Sequence, residues 1–169
     1  MKTEMIAYKP NFKSFLIYFA LMFGLFTVMI VTYYLIFEDE EAFTDYLTGF
    51  FYLYFFIPVI NAASFAFSTR KHDYIISGID DPIHVANWAV ELLQQKGMRI
   101  KATTGNSTVL ESGNKFFRWL NNWFGTELIA ISASEYEVVA TGNFRYIDIL
   151  DSRIKFGNVD FKNQPSKQL

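Results

Sequence analysis

Cysteine is absent from the 169 residues. That excludes disulfides, thiolate catalysis, Cys-based zinc or iron–sulfur sites and palmitoylation. Histidine is scarce: only His72 and His84 occur, which leaves little for a histidine-dependent hydrolase. No Walker loop, GxGxxG, GxSxG or HExxH motif is present. From Arg70 onward 12 Lys and Arg face 11 Asp and Glu with no basic run, so nucleic acid is not an expected partner. Charge of either sign is also missing from two long stretches, Phe15–Phe37 and Tyr46–Ser68, each of 23 residues. As helices each would reach about 35 Å, enough to cross a hydrocarbon core of about 30 Å.

These two stretches predict a membrane hairpin. Residues 1–14 form a basic flank, 15–37 the first transmembrane helix and 38–45 an acidic external loop. Residues 46–68 form the second helix and 69–80 a juxtamembrane linker. A small α+β domain over 81–157 and a polar, disordered tail over 158–169 complete the chain. The first apolar run is longer than a signal-peptide core, and acids follow it rather than a small-x-small cleavage site, so it is expected to be retained. Lys9, Lys13, Arg70 and Lys71 sit at the two flanks while the loop carries only acids. The positive-inside rule then places both termini in the cytoplasm, as in a multi-pass protein of the inner (plasma) membrane. Within the hairpin, Ala20 and Gly24 on the first helix lie at the depth of Asn61 and Ala62 on the second. Small residues and one amide there predict close packing with a hydrogen bond across the interface. Pro58 is expected to kink the second helix.

Beyond residue 70, Asp81-Pro82 reads as a helix start, with Asp capping and Pro at the first helical position. Apolar Val85, Ala86, Ala89, Val90, Leu92 and Leu93 then oppose a polar stripe, and Gly97 stops the helix. Met98–Thr104 and Ser107–Ser112 read as a hairpin around Gly105-Asn106. Lys115–Phe124 reads as a second helix capped by Asn114. Glu127–Ala133 and Tyr136–Thr141 read as another strand pair, and Asn143–Lys155 as a third helix ending at Gly157. The expected order is α-ββ-α-ββ-α: an antiparallel sheet of four strands with helices on one face. A fifth strand is added if Tyr74–Ser77 pairs, and the segment to Ala133 would then follow the ferredoxin-like βαββαβ order. A PH-like domain, mostly strands with one C-terminal helix, fits this order poorly.

Candidate chemistry is sparse. Asp80, Asp81 and His84 are the one cluster with metal-like spacing, but Asp81 is expected as a cap and His84 on the solvated stripe. Glu135 and Glu137 flank a turn, where exposed acids are ordinary. No catalytic residue, metal or cofactor is expected. The densest feature is the aromatic helix 115–124. Its large apolar arc either covers the sheet or meets an outside surface through Phe116, Arg118, Trp119 and Trp123. The sequence-level expectation is therefore a non-enzymatic inner-membrane protein whose cytoplasmic domain binds a protein partner. Docking of helix 115–124 on membrane lipid and an accessory subunit of a transport complex are the alternatives. A homo-oligomer stays open.

Overall fold

The computed structural model describes residues 1–37, 43–124 and 127–157 and shows a six-stranded antiparallel sheet with five helices among them. In chain order these are β1 (Lys2–Ala7), α1 (Phe12–Phe37), α2 (Phe43–Ser68), β2 (Lys71–Ser77), α3 (Pro82–Gln95), β3 (Met98–Thr104), β4 (Ser107–Ser112), α4 (Lys115–Phe124), β5 (Leu128–Ala133), β6 (Glu137–Asn143) and α5 (Phe144–Phe156). They form two compact units. Pro10–Thr69 is one, and Met1–Lys9 joins the chain from Arg70 onward in the other. Part of the acidic loop and the tail after Gly157 lie outside the described residues.

In the hairpin unit both helices contain stretches long and apolar enough to cross a membrane, Phe12–Ile36 and Phe51–Ser68. They pack on each other, with Pro58, Ala62 and Ala66 of α2 buried.

In the second unit the sheet order is β1-β2-β6-β5-β4-β3, every neighbour antiparallel. The expected hairpins β3–β4 and β5–β6 are present, and Gly105 turns the first with φ 56°. Three expectations are corrected. Residues 2–7, read as a flank, form the edge strand β1, whose partner β2 lies about 70 residues away in sequence. The supposed linker is strand from Lys71 onward, so the sheet has six strands rather than four or five. The ferredoxin-like order is not formed either. That arrangement needs parallel neighbours within its βαβ units, whereas β2 here lies between β1 and β6.

One face of the sheet holds the core. Tyr74 and Ile76 of β2, Val138 and Ala140 of β6, Ile129 and Ile131 of β5, Leu110 of β4 and Met98 of β3 are all buried. Period-two alternation aims them at α3 and α5. α3 begins where Asp81 accepts the His84 amide at 3.0 Å with Pro82 at the first helical position. It buries Val85, Ala86, Ala89, Val90 and Leu93 and ends before Gly97, which takes φ 90°. α5 is capped by Asn143, which accepts the Arg145 amide at 3.0 Å, and buries Tyr146, Ile147, Leu150 and Ile154.

Candidate functional site

The antiparallel registers gather six strand termini at one end of the sheet: the ends of β1, β6 and β4 and the starts of β2, β5 and β3. The chain leaves β1 for α1 and returns from α2 to β2 at this same end. α4 is here too, because it links the end of β4 to the start of β5. Asn114 caps it by accepting the Phe116 amide at 2.9 Å, and buried Asn121 accepts the Glu127 amide at 3.0 Å. Arg145, at the start of α5, lies 5.9 Å above the Phe117 ring.

Among the described residues α4 is not one of the helices that cover the core face. It touches β4, and none of its described side chains joins the hydrophobic core. Of the four residues singled out on it, Phe116 and Trp119 are exposed at 59% and 55%, and their rings stack with centroids 6.2 Å apart. Arg118 is half-buried and contributes to holding the Glu111 carboxyl below the usual range. The Trp123 side chain lies outside the described residues. Phe144 adds a third exposed ring at this end, against the imidazole of His72 at 5.2 Å.

The sheet face opposite the core is half-exposed across β2, β6, β5 and β4. Residues paired directly across strands share a face. One row across it reads Glu4, Ile75, Val139, Ser132 and Ser107, and the next Ile6, Asp73, Thr141, Ala130 and Val109. Two of its carboxylates, Asp73 and Glu111, are answered within the face. Asp73 accepts the hydroxyls of Tyr8 and Thr141, each at 2.6 Å. Glu111 pairs with Arg99, whose Nε donates at 2.8 Å, and with Lys101. Hydrogen bonding to Arg99 is the main cause of its lowered pKa, and burial works against it. The sequence reading missed Asp73, Tyr8 and Thr141. The only available signal was the alternation of Asp73 with apolar Tyr74 and Ile76.

On the core side, Tyr74 donates to Asp151 at 2.9 Å and Tyr146 to Glu127 at 2.5 Å. Burial first, then the adjoining carboxylate, raises both phenols far above their ordinary range. These pairs hold elements together. Neither puts an acid and a base around an open reaction space. Asp81 serves as the α3 cap, and among the described residues no three metal-ligating side chains cluster. Glu135 and Glu137 sit at the β5–β6 turn, at the end of the sheet away from α4.

In the hairpin the expected contact set differs. Ala62 is buried, but Ala20 and Gly24 face outward, and Asn61 donates to the Ile57 carbonyl of its own helix at 2.9 Å. Aromatic rings fill the interface instead, with Phe23 against Tyr54 and Phe19 against Phe55. A cross-helix polar contact joins the hydroxyls of Thr27 and Tyr54 at 2.6 Å. Of the flanking bases, Lys9 lies between β1 and α1, Lys13 in the first turn of α1, Arg70 between α2 and β2, and Lys71 opens β2. Comparison with family models, curated proteins and solved structures gives no match to this chain.

Proposed function

We propose that this chain is a non-enzymatic membrane protein in which a two-span hairpin carries an α+β domain that binds a folded protein partner. The observation that carries the reading is the half-exposed sheet face. Its two central rows mix Ile75, Val139, Ala130 and Val109 with short hydroxyl side chains. Short side chains let a second layer approach to the usual packing distance of about 10 Å. Because Asp73 and Glu111 already have partners, covering the part of the face formed by the two rows across β2, β6, β5 and β4 strands no lone carboxylate, and Glu4 stands outside it on the edge strand β1. This favours an apolar protein surface over a phosphate-bearing ligand.

Topology follows the same reading. β1 pairs with β2 along its whole length, so both ends of a membrane-crossing hairpin belong on one side. The bases Lys9, Lys13, Arg70 and Lys71 at those ends support a cytoplasmic side of a plasma membrane for both.

A photo-crosslinking residue at Val139 in the full chain, in its native membrane, tests the partner. Asn87 on the exposed side of α3 is the reference position. A discrete adduct at Val139 and not at Asn87, lost when Ala130→Arg is added, supports the reading. Equal labelling at both positions, or none at Val139, overturns it. An adduct of twice the chain mass assigns the face to a second copy and overturns a separate partner.

A further inference from the structure

The end of the sheet that holds α4 is also the end through which the chain passes to and from the hairpin. Four residues separate Ala7 from Phe12, and two separate Ser68 from Lys71. At about 3.5 Å per extended residue these connections reach roughly 14 Å and 7 Å. Both connections to the hairpin therefore leave from this end of the sheet and not from the end with the β5–β6 turn. Here α4 contributes none of its described side chains to the core while exposing the stacked pair Phe116 and Trp119. A water-soluble helix ordinarily turns such rings inward. A helix lying in a bilayer interface turns them outward, because aromatic rings favour the headgroup boundary.

Bases gather at the α4 end, where Lys9, Arg70, Lys71, Lys115, Arg118 and Arg145 lie, whereas the opposite end mixes Asp80, Asp81, Glu135 and Glu137 with Lys2 and with Arg153 and Lys155 in the last turn of α5. The acids near α4 are engaged: Asp73 by Tyr8 and Thr141, Glu111 by Arg99, and Glu127 by Tyr146. The domain thus carries a basic, aromatic end at the place where its chain connects to the hairpin.

From these placements we propose that α4 lies in the headgroup region of the membrane, with Phe116 and Trp119 at the acyl boundary and the surrounding bases on anionic phospholipid. The occupant of this face is lipid. The surface is distinct from the open sheet face and stands or falls independently of the protein partner proposed for it.

The absence of cysteine makes the test direct, since Phe116→Cys gives the full chain a single thiol for a nitroxide label. The labelled protein is reconstituted in vesicles of phosphatidylethanolamine and phosphatidylglycerol. Collisions with oxygen and with a water-soluble nickel complex are then compared with those at Tyr136→Cys. Tyr136 is 77% exposed, at the far end of the sheet. The expected result is a severalfold higher oxygen-to-nickel ratio at 116 than at 136. Equal ratios overturn the proposal. An immobilised label reached by neither collider also overturns it, assigning the face to protein contact. Trp119→Cys repeats the measurement if the first variant does not fold.

Discussion

Tyr8 donates its hydroxyl to Asp73 at 2.6 Å, joining the residue just after β1 to the middle of β2 across a separation of 65 residues. The second oxygen of Asp73 accepts from Thr141, so one carboxylate ties β1, β2 and β6 together. The adjoining carboxylate also raises the Tyr8 pKa, because ionising the phenol would lose the bond and place two negative charges side by side.

Removing the Tyr8 hydroxyl with Tyr8→Phe should speed amide exchange across Lys2–Ala7 and leave β5 and β6 unchanged. Asp73→Ala removes both bonds and should destabilise the sheet unit by about 1–3 kcal/mol. Hydrogen exchange by mass spectrometry on the full chain reads both. Unchanged protection of β1 in Tyr8→Phe would show that strand pairing alone holds the edge.

The Glu111 carboxyl is held below its ordinary value of 4.5, first by its hydrogen bond to Arg99 and then by the charges of Arg99, Lys101 and Arg118. A depressed folded pKa means the stabilisation is complete above about pH 4.5 and is lost as pH falls through the folded value. Melting temperature measured from neutral to acid pH should fall more steeply for the native chain than for Glu111→Gln. Parallel curves would remove Glu111 from the acid response.

His72 is only 6% exposed beneath Phe144, and its Nδ1 donates to the Arg70 carbonyl at 3.1 Å. Burial lowers its pKa below 6.5, the charge of Arg70 adds to this, and the carbonyl opposes it. The unfolded chain therefore takes up a proton at a pH where the folded chain does not. Stability should fall as pH drops below about 6.5 toward the folded value. Titration of the imidazole by NMR should place its midpoint below 6.5. A midpoint above that value would contradict the burial argument.

Leu110→Ala and Ile131→Ala empty sites that are fully enclosed and should each cost about 2–5 kcal/mol in urea unfolding. Phe116→Ala removes a larger side chain from an exposed position and should change stability of the sheet unit by no more than about 0.5 kcal/mol in detergent. A loss at Phe116 as large as that at Leu110 would return α4 to the core.

Some of this was legible in the sequence because the signal is local. Asp81-Pro82 and Asn143 place the starts of α3 and α5 through bonds spanning two or three residues. Gly97 and Gly105 mark a stop and a turn through their own backbone angles. The two apolar runs need only length and composition. Lys2–Ala7 carried no comparable signal. It is a strand because Lys71–Ser77 lies beside it, and no local rule pairs segments so far apart. The position of α4 was equally hidden. Its aromatic arc fits a helix over a sheet as well as one at the end of it.

The sequence by itself determined the hairpin and the caps and stops of the helices, because neighbouring residues and bulk hydropathy suffice for these. Only the tertiary structure decided that β1 closes the sheet edge and that Asp73 bridges three strands. It alone put Phe19, Phe23 and Tyr54, rather than Ala20 and Gly24, between α1 and α2. It alone turned Phe116 and Trp119 outward. Each of these depends on long-range pairing and on which helix face meets a neighbour, quantities that residue spacing leaves open.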